Sequence, residues 1–250
     1  MTLTDQLHRS ISINEPIKSV ISLVPSHTEL LFDLGLHDFV IGRTKFCIHP
    51  SPEIRNIPII GGTKNIQIET IKSLNPDLII ANKEENIQTD VLTLAKDYPV
   101  WISDIKTLED SFEMTQEIAA LFNVTELGKS IQNRTISKIQ SIASKQSMRA
   151  AYLIWNEPFM TIGSDTYIHH ILDHLGFENV FANHTRYPEV SIEDIKAAQP
   201  ELILLSSEPF PFKEIHKIQF KTIFKGTQIE IVDGEVFSWY GSRIIHKNKF

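Results

Sequence analysis

The sequence predicts an α/β protein of two Rossmann-like, three-layer lobes, each with a mostly parallel sheet, joined by one long backbone helix. The first observation is an internal repeat: residues 68–80 (IETIKSLNPDLII) return as residues 192–204 (IEDIKAAQPELIL). In each copy, apolar residues at i, i+3 and i+6 predict a short helix that a proline ends, and a continuous apolar run predicts a strand buried on both faces. The second observation is the stretch 108–145, which contains no proline and one glycine. Its apolar residues recur at three- and four-residue steps, which predicts helix.

Each half of the chain reads as strand, helix, strand, helix and strand. In the first half, the apolar residues 20–24 predict the opening strand. The helix that follows has Ser26 placed as an N-cap and Glu29 three residues later, which is the pattern of a capping box. The second half opens in the same way with the apolar run AAYLIW at residues 150–155.

The segment between the halves predicts a shorter helix, a break at FNVT (residues 122–125), and then the long helix. A helix of about 20 residues spans about 30 Å, which is the size of one lobe. We therefore expect an N-terminal α/β lobe over residues 14–106, a linking helical segment over 107–146 and a C-terminal α/β lobe over 147–250.

The composition excludes several classes of protein. The formal net charge is −7 and no run of lysines or arginines occurs, which argues against nucleic-acid binding. No apolar stretch approaches the roughly 20 residues of a membrane-spanning helix. Residues 1–16 lack the basic and apolar segments of a secretory signal, so the sequence as it stands predicts a cytoplasmic protein. The single cysteine, Cys47, excludes an internal disulfide.

Four stretches together resemble one family in their order and spacing. They are VISLVPSHTELLFDLGL (20–36), GRTKFCIHPSPEI (42–54), IPIIGGTKNIQIETIKSLNPDLIIA (57–81) and DGEVFSWYGSRII (233–245). The chain thereby resembles the helical-backbone (class III) periplasmic substrate-binding proteins of ABC importers, the receptors for vitamin B12, ferric siderophores and haem, and most nearly the vitamin B12 receptors. The resemblance covers roughly residues 18–245.

The resemblance implies a ligand-binding protein that is not an enzyme. It implies a metal-bearing ligand, a cobalamin or other corrinoid, haem or an iron-siderophore, held in the cleft between the lobes. No intrinsic cofactor is expected; the corrinoid, haem or ferric chelate would be the bound ligand. The implied partner is an ABC permease, and we expect a monomer.

Aromatic residues in the loops after the predicted strands suit a flat ligand of this kind. We expect ligand contacts from Phe46, Trp155, Phe159, Trp239 and Tyr240. Each ring has an alternative place in the core. Arg243, at the start of a predicted helix, would meet a carboxylate or phosphate of the ligand, or else form a plain salt bridge.

Two histidines are candidates for contact with the ligand or its metal. His27 opens the first helix and His49 lies in the loop of Phe46. The alternative for both is a hydrogen-bonded loop histidine. His170 and His174 stand at i, i+4 on a predicted helix, which more often marks a polar face than a metal site. Cys47 is expected to be a small buried residue rather than a nucleophile.

The resemblance also implies one carboxylate in each lobe for docking to the permease. Glu69 matches the first position. The second is expected within EVFSWYGSR, where the matching residue is Ser238 and Glu235 is the nearest carboxylate. Glu193 preserves the internal repeat but does not match that second position.

Two other interpretations stay open on the sequence alone. A cytosolic α/β enzyme or carrier acting on a corrinoid or metal cofactor could use the same scaffold, because a fold does not determine a function. An ordinary exported importer receptor is the other. No phosphate-binding loop, nucleophile elbow or HExxH pair occurs in the sequence.

Overall fold

The computed structural model describes residues 1–144 and 146–247, which form two compact units. Unit 1 consists of Met1–Ile105, Glu109–Asn133 and Tyr240–Arg243. Unit 2 consists of the described parts of Lys106–Leu108, Arg134–Trp239 and Ile244–Phe250. The chain therefore returns to unit 1 for four residues close to its end.

Strands and helices alternate along both halves of the chain. The strands are β1 (Thr2–Thr4), β2 (Ser10–Ser12), β3 (Val20–Ser22), β4 (Val40–Arg43), β5 (Gly61–Gly62), β6 (Asn65–Ile66), β7 (Leu78–Asn82), β8 (Val100–Ser103), β9 (Met148–Leu153), β10 (Trp155–Asn156), β11 (Phe159–Met160), β12 (Phe177–Asn179), β13 (Leu202–Ser206) and β14 (Gln228–Val232). The α-helices are α1 (Pro25–Asp33), α2 (Ile68–Leu74), α3 (Gln88–Leu94), α4 (Leu108–Leu121), α5 (Thr125–Ile142), α6 (Tyr167–His174), α7 (Ile192–Ala198), α8 (Glu214–Ile223) and α9 (Gly234–Ser238). Short 3-10 helices cover His37–Phe39, Glu53–Asn56 and Arg243–His246.

Each unit contains a four-stranded parallel sheet with the same strand order. The order is β4-β3-β7-β8 in unit 1 and β12-β9-β13-β14 in unit 2. Strands β7 and β13, which end the two repeat copies, hold the third place in their sheets, and every residue of both strands is buried. The predicted fold class of two α/β units with parallel sheets is confirmed.

The repeat also holds in the backbone. Helices α2 and α7 have seven residues each and end at Asn75 and Gln199, both in the left-handed conformation with φ 48°. A proline follows each of them. The two sequence copies therefore fold into the same helix, turn and strand.

The expected capping box of the first helix does not form. Helix α1 begins at Pro25, with Val24 as an N-cap that makes no side-chain cap bond. Proline suits this first position, since its missing N–H needs no partner there. Ser26 consequently lies inside the first turn, and Glu29 pairs with Arg243 instead. A capping box does occur on α7, between Ser191 and Asp194.

The segment between the halves folds as helices α4 and α5, with the break where FNVT predicted it. Asn123 has a φ of 57° in this break. A Cβ atom at Gly128 would lie 2.8 Å from the Cβ of Ala119, so the glycine allows α5 to approach α4 closely. Helix α5 begins in unit 1 and ends in unit 2.

The unit 2 sheet is covered on both faces, as a three-layer lobe requires. On one face, Leu153, Ile203 and Ile229 pack in one core cluster with Ile195 of α7 and Phe220 of α8. On the other face, the ring of Tyr152 packs on Phe237 of α9, with centroids 5.1 Å apart. Among the helices of the described residues, none is both long and apolar enough to span a membrane.

Candidate functional site

In unit 1, the loop after β4 presents an exposed aromatic ring at the carboxyl end of the sheet. Phe46 is 50% exposed. The buried guanidinium of Arg43 holds the loop from below, donating to the carbonyls of Ile54 at 2.9 Å, Cys47 at 3.0 Å and Thr44 at 3.3 Å. Three charge-assisted bonds to one loop fix its path.

The ring of Phe46 lies over the glycine pair of the β5–β6 hairpin. A Cβ atom at Gly62 would come within 3.2 Å of this ring, which is closer than ordinary packing allows. The ammonium of Lys45 lies 5.0 Å from the ring centroid, within cation–π range. The absence of a side chain at Gly62 thus leaves room for the half-exposed ring of Phe46.

Cys47 turns into the interior of the same loop. Its Sγ atom lies 3.1 Å from Oγ1 of Thr28 and 3.2 Å from Oγ1 of Thr44. Burial raises the pKa of the thiol, although both hydroxyls and the charge of Arg43 act in the opposite direction. A buried, protonated thiol fits the expected structural role rather than that of a nucleophile.

The two candidate histidines have different surroundings. His49 is half-buried in the loop of Phe46. His27 is fully buried, with Nε2 3.0 Å from Oγ of Ser103 and its ring 5.4 Å from that of Tyr240. Burial lowers the pKa of His27 to about 3, so the imidazole is neutral at physiological pH. The structure places His27 inside unit 1, away from solvent.

In unit 2, the β10–β11 hairpin that follows β9 carries Trp155. This side chain is 39% exposed, and its Nε1 donates to the carbonyl of Glu157 at 3.2 Å. Its ring meets Phe210 edge to face with centroids 5.8 Å apart, and Phe210 packs in turn on Phe212 at 4.8 Å. Trp155 is therefore an exposed ring supported from one side by an aromatic cluster.

Phe210 does not figure among the residues expected from the sequence. It lies in the loop after β13, at the carboxyl end of a sheet strand, in the run SSEPFPF. Two features of the sequence could have identified it: Phe210 lies in the loop that follows the apolar run LILL, and ligands bind where parallel strands end.

Phe159 lines a pocket on the surface of unit 2. The pocket has a volume of about 570 Å³ and lies between the β10–β11 hairpin and the start of α7. Its apolar lining includes Phe159, Val190 and Ile192, and its carboxylates are Glu157, Glu189 and Glu193. Phe159 itself is half-buried, with its ring edge-on to Phe220 at 5.4 Å.

The segment Trp239–Arg243 is divided between the two units. Trp239 is half-buried in unit 2, where its Nε1 donates to Oε1 of Glu208 at 3.1 Å. Tyr240 and Arg243 are buried in unit 1, and Nη1 of Arg243 donates to Glu29 at 2.6 Å. The structure thus brings Trp155 and Phe210 together, while Tyr240 lies against His27 and Arg243 is occupied by a carboxylate.

The candidate docking carboxylates differ in exposure. Glu69 and Glu193 are both exposed in the first turns of the repeat helices α2 and α7. Glu235 lies in the first turn of α9 and is half-buried. The two repeat copies therefore present one exposed glutamate each at the same helical position.

Histidine, cysteine and carboxylate side chains do not gather into a metal centre in the described residues, where no group of three or more could hold an ion. His170 and His174 both lie on α6, as their spacing predicted.

Comparison with known proteins decides the family. A profile of the periplasmic binding protein family matches residues 20–227. The chain belongs to this family. The vitamin B12-binding protein of Vibrio parahaemolyticus is 28% identical over 199 residues, which are 77% of this chain and 72% of that protein.

Solved structures share the fold. The periplasmic vitamin B12 binding protein BtuF of Vibrio cholerae matches with a TM-score of 0.78 at 23% identity, covering 92% of this chain and 93% of that one. The periplasmic haem binding protein HutB of Vibrio cholerae matches with a TM-score of 0.75 at 19% identity, covering 91% and 94%. The family predicted from the sequence is confirmed.

These relatives also bear on the interpretations that the sequence left open. Periplasmic binding proteins are substrate-binding transport proteins, so the main interpretation fits and the enzyme alternative gains no support. The family and both structural relatives are described as periplasmic, so the expectation of a cytoplasmic protein finds no support either.

Proposed function

We propose that this protein is the substrate-binding component of an ABC importer. It binds a flat, partly apolar, metal-bearing ligand of the corrinoid, haem or ferric siderophore class and has no catalytic activity of its own. The observation that carries the proposal is the pair of exposed rings, Phe46 and Trp155, each in a loop at the carboxyl end of a parallel sheet. Relatives named for vitamin B12 and haem support the ligand class.

We propose a ligand-contacting surface within each unit. In unit 1 it consists of Phe46, the adjoining Gly62 and His49. In unit 2 it consists of Trp155, supported by Phe210, together with Phe159 and the outer side of Trp239. An exposed ring held by a fixed loop loses little conformational freedom on binding, which favours a rigid planar ligand.

Three of the residues expected from the sequence are left out of this surface. His27, Tyr240 and Arg243 are buried and engaged with other side chains of unit 1. We propose that they hold the protein together. His49 is the histidine that remains as a contact for the metal or an acidic group of the ligand.

Replacing Trp155 by alanine is expected to weaken ligand binding about tenfold, because stacking on an aromatic ring contributes on the order of 1–3 kcal/mol. Titration of the purified protein with cyanocobalamin, haem and a ferric catecholate siderophore, followed by the absorbance of the ligand, measures the dissociation constants. Trp155→Phe is expected to keep most of the affinity, since a ring remains.

Leu127→Ala is the matched control for this prediction. Leu127 on α5 is also exposed and apolar but lies outside the proposed surface. Its replacement is expected to leave all dissociation constants within about twofold. Equal affinities of wild type and Trp155→Ala for a ligand that binds would remove Trp155 from the site, and no binding of any of the three compounds would refute the ligand class.

We further propose that Glu69 and Glu193 are the docking carboxylates for the permease. This pair replaces the expected pair of Glu69 and Glu235. Both proposed residues are exposed in equivalent helix turns, where an arginine side chain of a partner can reach their carboxylates. Glu235 is half-buried in its own unit.

Charge reversal separates these two assignments. Glu69→Lys and Glu193→Lys are each expected to weaken binding to membrane vesicles that contain the importer of the same organism by about tenfold or more, since a lysine placed against an arginine of the partner is a like-charge contact that costs several kcal/mol. Glu126→Lys, an exposed glutamate in the first turn of α5, is the matched control. Glu235→Gln is expected to have no effect, and a loss with this variant but not with Glu193→Lys would restore the original assignment.

We place the protein outside the cytoplasmic membrane and expect it to act as a monomer, as a receptor that delivers its ligand to a permease would. Fractionation of the native host, with antibody detection in the extracytoplasmic fraction, tests the location.

A further inference from the structure

Helix α8 carries an apolar strip on the side opposite its own sheet. Phe220 is buried in the core cluster of unit 2, as is Phe224 just after the helix, and these rings define the inner side. On the outer side, Ile215 and Ile218 are 57% and 58% exposed, the highest values for large apolar side chains among the described residues. Thr222, one turn further on, is exposed as well. Ile215 and Ile218 are one turn apart, so their exposed side chains are neighbours on the helix surface.

The segment that carries the strip formed by Ile215, Ile218 and Thr222 is rich in lysine. The stretch 213–225 contains four lysines and one acidic residue, Glu214, although the whole chain has a formal net charge of −7. Lys217 pairs with Glu230 of β14 at 2.8 Å. The exposed lysines are Lys213, Lys221 and Lys225. The strip therefore lies within a local basic patch of an acidic protein.

We propose that the outer face of α8 binds the surface of a membrane rich in anionic lipid. Ile215 and Ile218 enter the boundary between headgroups and acyl chains, and the exposed lysines reach the lipid phosphates. A helix with an apolar side flanked by lysines is suited to lie in this interface. Each lysine close to an anionic surface contributes on the order of 1 kcal/mol, and the lysine stems can lie along the apolar boundary with their ammonium groups in water.

A second copy of the chain fits this face less well. Two isoleucines and a threonine bury far less than the roughly 800 Å² per partner of a stable interface. Charge complementarity favours an anionic surface. The proposal goes beyond ligand binding and implies that the receptor stays close to the membrane that holds its permease.

Flotation of the full chain with lipid vesicles tests this proposal. The wild-type protein is expected to float with vesicles of phosphatidylglycerol and phosphatidylethanolamine, to release at high salt, and to stay in solution with phosphatidylcholine vesicles. Ile218→Ser/Lys221→Glu is expected to reduce the bound fraction about tenfold. The matched control is Leu92→Ser/Lys96→Glu on the side of α3, where an exposed leucine and a nearby lysine lack a basic patch; it is expected to bind as the wild type does.

The result is independent of the proposed ligand, because the vesicles contain none and the titration with corrinoid or haem is a separate measurement. Circular dichroism melting of both double variants shows that they are folded. Equal binding to anionic and neutral vesicles, or equal binding by both double variants, would overturn the proposal. Failure of the wild type to float with any vesicle would overturn it too, and self-association lost in the α8 variant would then assign the strip to a second copy.

Discussion

Replacing Arg243 by methionine is expected to lower the free energy of unfolding by about 3–5 kcal/mol, because the buried Glu29 carboxylate then lacks this cation. The two side chains are 4% and 5% exposed, and Nη1 of Arg243 lies 2.6 Å from Oε1 of Glu29. The residues are separated by 214 positions in the chain, so the ion pair ties the returning segment Tyr240–Arg243 to helix α1 within unit 1. Denaturant unfolding followed by circular dichroism measures the loss.

An exposed ion pair provides the control for this prediction. Lys129 and Glu126 on α5 approach to 2.8 Å but are both solvent-exposed, so Lys129→Met is expected to change the free energy of unfolding by less than about 0.5 kcal/mol. Glu29→Met/Arg243→Met is expected to recover most of the stability lost in Arg243→Met, since two apolar side chains need no counter-ion. Equal destabilisation by Arg243→Met and Lys129→Met would contradict a structural role for Arg243.

The same variants distinguish the structural role of Arg243 from the ligand contact that its sequence context predicts. Arg243 follows a glycine and a serine, which reads as a polar turn close to a binding site. If it binds ligand, the folded double variant loses affinity; if it holds the chain end, the affinity stays close to that of the wild type. We expect the second result, because the guanidinium is already bonded to a carboxylate inside unit 1.

The fold could be predicted because its signals are local. The two copies of helix, proline and buried strand each carry their own periodicity, and the copies place β7 and β13 in the same position of two similar sheets. The break between α4 and α5 is likewise predicted from four consecutive residues, FNVT at 122–125. Signals of this kind depend on neighbours within a window of about 11–18 residues, over which periodicity can be recognised.

The roles of single side chains could not be predicted in the same way, because burial depends on residues far away in the chain. Ser26 and Glu29 match the sequence pattern of a capping box. In the structure, however, Pro25 occupies the first helical position, and the carboxylate of Glu29 forms an ion pair with Arg243. His27 and His49 look alike as loop histidines, but only His27 is covered by Ser103 and Tyr240. Phe210 is not predicted as a site residue, because it lies between two prolines in a loop that has no periodic pattern.

Solvent exposure therefore distinguishes candidate ligand-binding residues that the sequence alone cannot distinguish. Among the aromatic residues in the predicted loops, Phe46 and Trp155 remain open to solvent, whereas Tyr240 is buried and Trp239 is half-buried against Glu208. The sequence predicts which loops end the strands, since that follows from topology. It does not predict which ring in a loop faces outwards, since that follows from packing.

His27 is expected to make the stability of unit 1 depend on pH. The imidazole is fully buried beside the neutral groups of Ser103, Trp101 and Tyr240, and its Nδ1 atom has no hydrogen-bond partner among the described residues. Burial lowers its pKa from 6.5 to about 3. Below about pH 6.5 the unfolded chain takes up a proton on this residue that the folded protein does not, so the free energy of unfolding falls as the pH is lowered. The slope approaches 1.4 kcal/mol per pH unit and flattens near pH 3, where the folded imidazole is also protonated.

Comparison of His27→Gln with the wild type isolates this contribution. Burial, together with the charges of Glu113 and Asp5, raises the pKa of Glu117 to about 7, and that carboxyl contributes to the pH dependence in the opposite direction. Its contribution is the same in both proteins and cancels in the difference.

Urea unfolding between about pH 4 and pH 7 is expected to show that the free energy of unfolding declines less steeply with falling pH in His27→Gln than in the wild type. This holds even where the variant is less stable at neutral pH. His37→Gln, which removes a solvent-exposed histidine, is expected to keep the wild-type slope. Parallel curves for the wild type and His27→Gln would show that the folded protein takes up this proton as readily as the unfolded chain does. His27 would then return to the residues that could bind an acidic group of the ligand.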